Sequence, residues 1–85
     1  MMPTEHTSPL TAPPGGVWTD DVGVITGALE LRTTCSDDGS VQVNVRYEEA
    51  DEWYAVRGGA CRLHDPADAE VLHTVLHDVL HRPEG

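Results

Sequence analysis

The chain has 85 residues, no Phe, and a formal net charge of −10 from 15 acidic residues against 5 basic ones. This length allows one small domain, which buries only about 60% of its unfolded surface, so we expect a homo-oligomer such as a homodimer. The acidic charge argues against nucleic acid and anionic membranes as partners and is compatible with basic proteins.

The cysteine count and the N-terminus bear on the cellular compartment. Two cysteines, Cys35 and Cys61, could form at most one disulfide. The N-terminus lacks the basic region and apolar run of a secretory signal, and no stretch approaches the ~20 apolar residues of a membrane span. We therefore expect a cytoplasmic protein with both thiols reduced.

The first sixteen residues are rich in Pro, Gly, Thr and Ser. They contain too few apolar residues to order themselves, so we predict a disordered tail over residues 1–16. Residues 17–85 are predicted to form a single small α+β domain.

Residues 19–27 are ambiguous between helix and strand. Residues 19–21 could cap a short helix, but Gly23, Gly27 and several β-branched residues favour a strand from near Val24 to Thr34. The second half of this segment alternates apolar and polar residues, as a half-buried strand does.

The clearest strand signal follows a turn at Ser36–Ser40, where Gly39 can adopt positive φ. Valines then recur at every second position from Val41, and polar residues fill the positions between them. One apolar and one polar face predict an antiparallel sheet that is covered on one side only.

A third strand is predicted at Trp53–Arg57, ended or bulged by Gly58-Gly59. Trp53 and Tyr54 are adjacent, so they point to opposite faces of the sheet. If Tyr54 packs inward, Trp53 lies on the open face with arginines of all three strands. We expect this face to bind another protein or a second copy, through Trp53, Arg57, Arg46 and Arg32.

The last segment predicts a helix from Asp65-Pro66, an N-cap followed by a first helical residue, to Pro83. Its apolar stripe comprises Leu72, Val75, Leu76, Val79 and Leu80. The predicted fold is therefore a three-stranded antiparallel meander with one C-terminal helix on one face, in the order β-β-β-α.

Three histidines follow each other at helical spacing: His73, His77 and His81. Two imidazoles four residues apart on a helix can chelate Zn, Ni or Cu, and Glu70 could add an oxygen ligand. A metal-binding protein is therefore an alternative function. The other interpretation is that the three histidines lie on a solvated flank of the helix and bind no metal.

A small cysteine-dependent enzyme is a third hypothesis, because Cys35 or Cys61 with a histidine and Asp65 supplies the residue types. No nucleophile elbow, phosphate loop or cofactor motif accompanies them. We therefore expect no catalytic residue and no cofactor.

One pattern consists of Arg46-Tyr47-Glu48, Asp51, Tyr54-Ala55-Val56-Arg57 and the segment from Val79 to Gly85. It resembles the corresponding residues of a known family, the SsgA-like actinobacterial sporulation and cell-division proteins. It requires one extra residue at Glu52-Trp53, and Gly58-Gly59 replaces a strand of that family. The resemblance implies a non-enzymatic, oligomeric adaptor in actinobacterial development, and it implies no catalytic residue.

Overall fold

The computed structural model describes residues 4–81. The helical part is a 3-10 turn, Pro66–Asp68, followed by the helix α1, Ala69–Leu80. The strands are β1 Thr4–Thr11, β2 Val17–Thr19, β3 Gly23–Ile25, β4 Ala28–Cys35, β5 Ser40–Tyr47, β6 Tyr54–Ala55 and β7 Cys61–Arg62.

Five of the strands form one antiparallel sheet in the order β1-β4-β5-β6, and β7 also pairs with β5. The hairpin β2–β3 forms a second small sheet. An antiparallel bridge between Thr19 and Val56 joins this hairpin to the segment that follows β6. The order of strands across the molecule is therefore β1-β4-β5-β6-β2-β3.

The predicted three-stranded meander is wrong, because the described residues contain seven strands in two sheets. The predicted disordered tail is also wrong over its described part, since β1 pairs with β4 along its whole length, from Thr4 opposite Cys35 to Thr11 opposite Ala28. Leu10 is buried in the core, and other β1 residues bind α1. Residues 1–3 lie outside the described part of the chain.

The predicted strand from Val24 to Thr34 is divided into β3 and β4. Gly27, with φ of +95°, separates them, a conformation that glycine adopts without the steric cost of a Cβ atom. The turn before β5 is confirmed: Gly39 has φ of +90°, and a Cβ atom there would overlap the carbonyl oxygen of Leu63. Cys35 consequently pairs with Val41.

The C-terminal helix is confirmed, although it begins through a 3-10 turn. The Asp65 carboxylate accepts a hydrogen bond of 3.0 Å from the N–H of Ala67, the expected capping role. The helix ends at Leu80, with the His81 N–H bonded to the carbonyl of His77. The predicted end at Pro83 lies outside the described residues.

The core lies between α1 and one face of the large sheet. Its most deeply buried side chains include Leu29, Leu31, Val41 and Val45. Burial of an aliphatic side chain of this size contributes about 1.5–3 kcal/mol to folding. Three partly buried leucines of α1 pack against this core, whereas two valines of the predicted stripe are exposed: Leu72, Leu76 and Leu80 inside, Val75 and Val79 outside.

Within residues 4–81, no helix combines the length and the apolar character needed to cross a bilayer.

Candidate functional site

The sheet face opposite α1, which we call the open face, is built by strict alternation. Leu31 and Val45 point into the core, so their neighbours in β4 and β5 project to the other side. Pairing then aligns Arg32 with Asn44, and Asn44 with Ala55, across three strands of this face.

The hairpin β2–β3 extends the open face beyond β6. Thr19 and Val56 pair on the core side, where Thr19 is only 1% exposed. The Arg57 N–H donates a 2.9 Å hydrogen bond to the Trp18 carbonyl, so these two residues lie opposite each other. Both side chains therefore project from the same face as Ala55.

The first aromatic group of the open face is centred on Trp53, which is half-buried. The guanidinium carbons of Arg32 and Arg46 lie 4.0 and 4.5 Å from the centre of its ring, within cation–π distance. Arg46 also binds Glu30, with its Nη2 and Nε atoms 2.7 and 2.9 Å from the same carboxylate oxygen. Trp53 is thus held against the sheet by two cations.

Arg32 differs from Arg46 in its hydrogen bonding. Its Nε atom is buried and has no hydrogen-bond partner among the described residues. Burial of an unsatisfied donor costs free energy, and here the neighbouring Trp53 ring is the compensating contact.

The second aromatic group is centred on Trp18, which is 56% exposed. The Arg57 guanidinium carbon lies 5.6 Å from the ring centre, and Arg57 Nε is 3.7 Å from an Asp20 carboxylate oxygen. Val24 pairs with Trp18 and is 39% exposed, while Val22 at the hairpin turn is 52% exposed. An exposed tryptophan beside an arginine is typical of protein-binding hot spots.

A shallow hollow of about 290 Å³ lies between the strands of the open face. Ala55, Gly58 and Ala60 provide small apolar surfaces, while Asp20 and Asn44 supply polar groups. The open face therefore contains a shallow concave region as well as aromatic and charged side chains.

All four residues predicted to bind protein lie on this face, but they form two groups. Trp53 contacts Arg32 and Arg46, whereas Arg57 contacts Trp18. Sequence reasoning missed Trp18. The available signal was the pair of β-branched residues, Val17 and Thr19, on either side of it, which favours a strand with Trp18 on the opposite side from both.

The histidines proposed as metal ligands form hydrogen bonds between α1 and the sheet. His73 is only 6% exposed, and its ring lies between two hydroxyl groups. Its Nε2 atom is 2.8 Å from Ser8 Oγ, and its Nδ1 atom is 2.9 Å from Thr33 Oγ1. Desolvation, with smaller contributions from His6 and His77, lowers the pKa of His73 below its usual value.

The other two histidines bind main-chain groups of the edge strand β1. His77 donates from Nε2 to the Pro9 carbonyl at 2.8 Å, and the Thr11 N–H donates to His81 Nδ1 at 3.0 Å. Groups on the outer edge of an edge strand otherwise lack a partner within the sheet and invite pairing with another chain. The two histidines thus satisfy part of this edge.

The structure does not bring the four proposed metal ligands together around one point. Glu70 is exposed, and both ring nitrogens of His73 already have hydroxyl partners. In the described part of the chain, no group of three His, Cys, Asp or Glu residues is arranged to hold a metal ion.

The two thiols lie in different environments. Cys35 is buried and Cys61 is exposed, and neither forms a disulfide. Burial, followed by the nearby Asp38 carboxylate, raises the pKa of Cys35. This keeps the thiol in its protonated, weakly nucleophilic form.

Comparisons with family models, with curated proteins and with solved structures found no match to this chain.

Proposed function

We propose that this protein is a non-enzymatic, cytoplasmic interaction module that associates with a second copy through its open face. The observation that supports this most strongly is the pair of tryptophans, Trp18 and Trp53, on one solvent-facing surface. Each is in contact with arginine, and Trp and Arg are the residue types most enriched in binding hot spots.

The charge distribution supports the open face as the contact between copies. The chain has five arginines and no lysine, and three of the arginines are on this face: Arg32, Arg46 and Arg57. Two copies of a chain with net charge −10 repel each other, and the repulsion is weakest where the local charge is least negative. In a two-fold contact, each arginine can also approach an acidic residue of the other copy.

The size of the face sets the area that a contact between two copies can bury. The strands β4 and β5 have eight residues each, so they are about 27 Å long at about 3.4 Å per residue. Six strands spaced about 4.8 Å apart add roughly 24 Å of width. Only β1, β4 and β5 are eight residues long, whereas β2, β3 and β6 have two or three residues each, so the flat outline of the face is smaller than the roughly 800 Å² per partner that standard interfaces bury. We therefore expect a contact at the small end of the range.

The resemblance to the SsgA-like proteins adds a biological setting to this proposal. An oligomeric adaptor in actinobacterial sporulation or cell division would need the self-association proposed here and no catalytic group. The metal and enzyme hypotheses have no comparable support, since the histidines bind β1 and β4 and the Cys35 thiol is buried.

Native mass spectrometry of untagged protein, purified without a metal column, tests the proposal. We expect a dimer of 9.2 kDa subunits for the natural sequence and monomer for Trp18→Ala. Val79→Ser is a matched control, because Val79 is 59% exposed on the opposite side of the molecule, against 56% for Trp18. A monomeric natural sequence, or a Trp18→Ala variant that remains dimeric, contradicts the proposal.

A further inference from the structure

The outer side of α1 carries a second exposed apolar surface, which we call the valine stripe. It consists of Val71, Val75 and Val79, which are 64%, 52% and 59% exposed. Residues four apart lie on one side of a helix, so the three side chains form a continuous line. The adjacent leucines are only partly buried and widen this apolar surface.

The valine stripe is bordered by negative charge. Asp78 lies beside it, three residues after Val75, and Asp68 lies at its N-terminal end; both are exposed. Residues 69–80 contain no Lys or Arg. Acidic side chains beside an apolar line select a partner that offers apolar groups flanked by cations.

A second copy of this chain is a poor occupant of the valine stripe. Antiparallel pairing of two α1 helices along the valine stripe would bring Asp68 of each copy towards Asp78 of the other, and like charges placed together across an interface are unfavourable. Parallel pairing would place the acidic flank of one copy against the leucine flank of the other, where the carboxylates would lose hydration. The net charge of −10 on each chain adds to the repulsion.

We infer that the valine stripe is a docking site for an amphipathic helix of another protein, one with an apolar stripe flanked by Lys or Arg. Recognition of a helix by its apolar positions at i, i+3, i+4 and i+7 is a common mode of peptide binding. The acidic flank sets the charge and the orientation of the partner. This surface is on the side of the molecule opposite the open face, so it remains accessible in the proposed dimer.

Isothermal titration calorimetry with a designed probe tests this inference on the full chain. The probe is a peptide of about five helical turns with a leucine stripe and lysine at the remaining positions. Its control carries glutamate in place of lysine. We expect binding of the lysine peptide only, and an affinity that decreases as salt concentration rises.

Two substitutions separate docking from general attraction between a cationic peptide and an acidic protein. Val75→Ser should weaken binding about tenfold or more, because it removes an apolar contact at the centre of the stripe. Val22→Ser is the matched control, since Val22 has the same 52% exposure but lies on the β2–β3 hairpin, and it should leave the affinity unchanged.

Three results would overturn the inference: no binding of the lysine peptide, equal binding of the glutamate peptide, or undiminished binding to Val75→Ser. Circular dichroism of both variants establishes that they are folded. The monomeric Trp18→Ala variant should bind the peptide as the natural sequence does, so the outcome does not depend on whether the open face forms a dimer.

Discussion

The guanidinium carbon of Arg32 lies 4.0 Å from the centre of the Trp53 ring. Arg46 reaches the same ring at 4.5 Å from the neighbouring strand. The ring covers Arg32, whose Nε atom is buried and has no hydrogen-bond partner in the described residues. Trp53 therefore stabilises the sheet and lies on the open face, the surface that we propose binds a second copy.

Trp53→Ala should lower the free energy of unfolding by about 1–2 kcal/mol, because two cation–π contacts and their packing are lost. Trp53→Phe should lose less, since it retains an aromatic face. Urea denaturation followed by circular dichroism measures both. If Trp53→Ala unfolds completely, Trp53 belongs to the core. If its stability is unchanged, the two contacts have no energetic value.

His73→Leu should lower the free energy of unfolding by about 2–3 kcal/mol. The leucine fills a similar space, but it leaves the buried Thr33 hydroxyl and the Ser8 hydroxyl without their imidazole partner. His64→Leu is a suitable control, because His64 is exposed and precedes the helix. Equal stability of the two variants in urea would show that the His73 hydrogen bonds contribute nothing.

Stability should decrease as the solution is acidified below about pH 6.5, the ordinary pKa of histidine. The pKa of His73 is lowered in the folded state, chiefly by desolvation, so the unfolded chain binds a proton at a higher pH than the folded chain. The stability that neutral His73 provides is therefore fully present above the unfolded pKa. It is lost progressively as pH falls towards the folded pKa.

Urea denaturation at a series of pH values between 5 and 8 measures this dependence. The free energy of unfolding of the His73→Leu variant should change less with pH than that of the natural sequence. The difference between the two slopes is the contribution of His73, separate from that of the other histidines. Parallel curves for the two proteins would contradict the assignment.

The two thiols should differ sharply in reactivity. Cys61 is exposed, whereas Cys35 is 1% exposed and its pKa is raised by burial. A chromogenic disulfide reagent should therefore label one thiol rapidly in the native protein and two in urea. Cys61→Ser should abolish the rapid phase. Rapid reaction of Cys35 in that variant would instead revive the enzyme hypothesis.

The β4–β5 hairpin could be predicted because its signals are local. Alternation along both strands and the glycine at position 39 are sufficient to predict the turn, and the structure adds the pairing of Cys35 with Val41. The C-terminal helix is equally local, with Asp65 as its cap and leucines at helical spacing.

Strand β1 could not be predicted, because most of its stabilising contacts are made by residues far away in sequence. Its side chains are mostly polar, and Pro9 disfavours a central strand. Ser8 is bonded to His73, and Pro9 to His77, 65 and 68 residues later. The histidine spacing was recognised, but its role in docking α1 to β1 becomes visible only when the strand is in place.

The candidate site was predicted in part. The alternation of β4 and β5 is sufficient to place Arg32 and Arg46 on the open face. The separation of Arg57 from Trp53 depends on the bridge between Thr19 and Val56, a contact between segments 37 residues apart that no local pattern indicates.

Paramagnetic relaxation enhancement between two copies tests the central claim most directly. A nitroxide attached to Gln42→Cys, in a Cys61→Ser background, would be mixed with isotope-labelled, unmodified protein. We predict that broadening is strongest for the amide signals of open-face residues such as Asn44 and Arg57 and weaker for those of α1, which lies behind the sheet. Broadening centred on α1, or no broadening between copies, would contradict association through the open face.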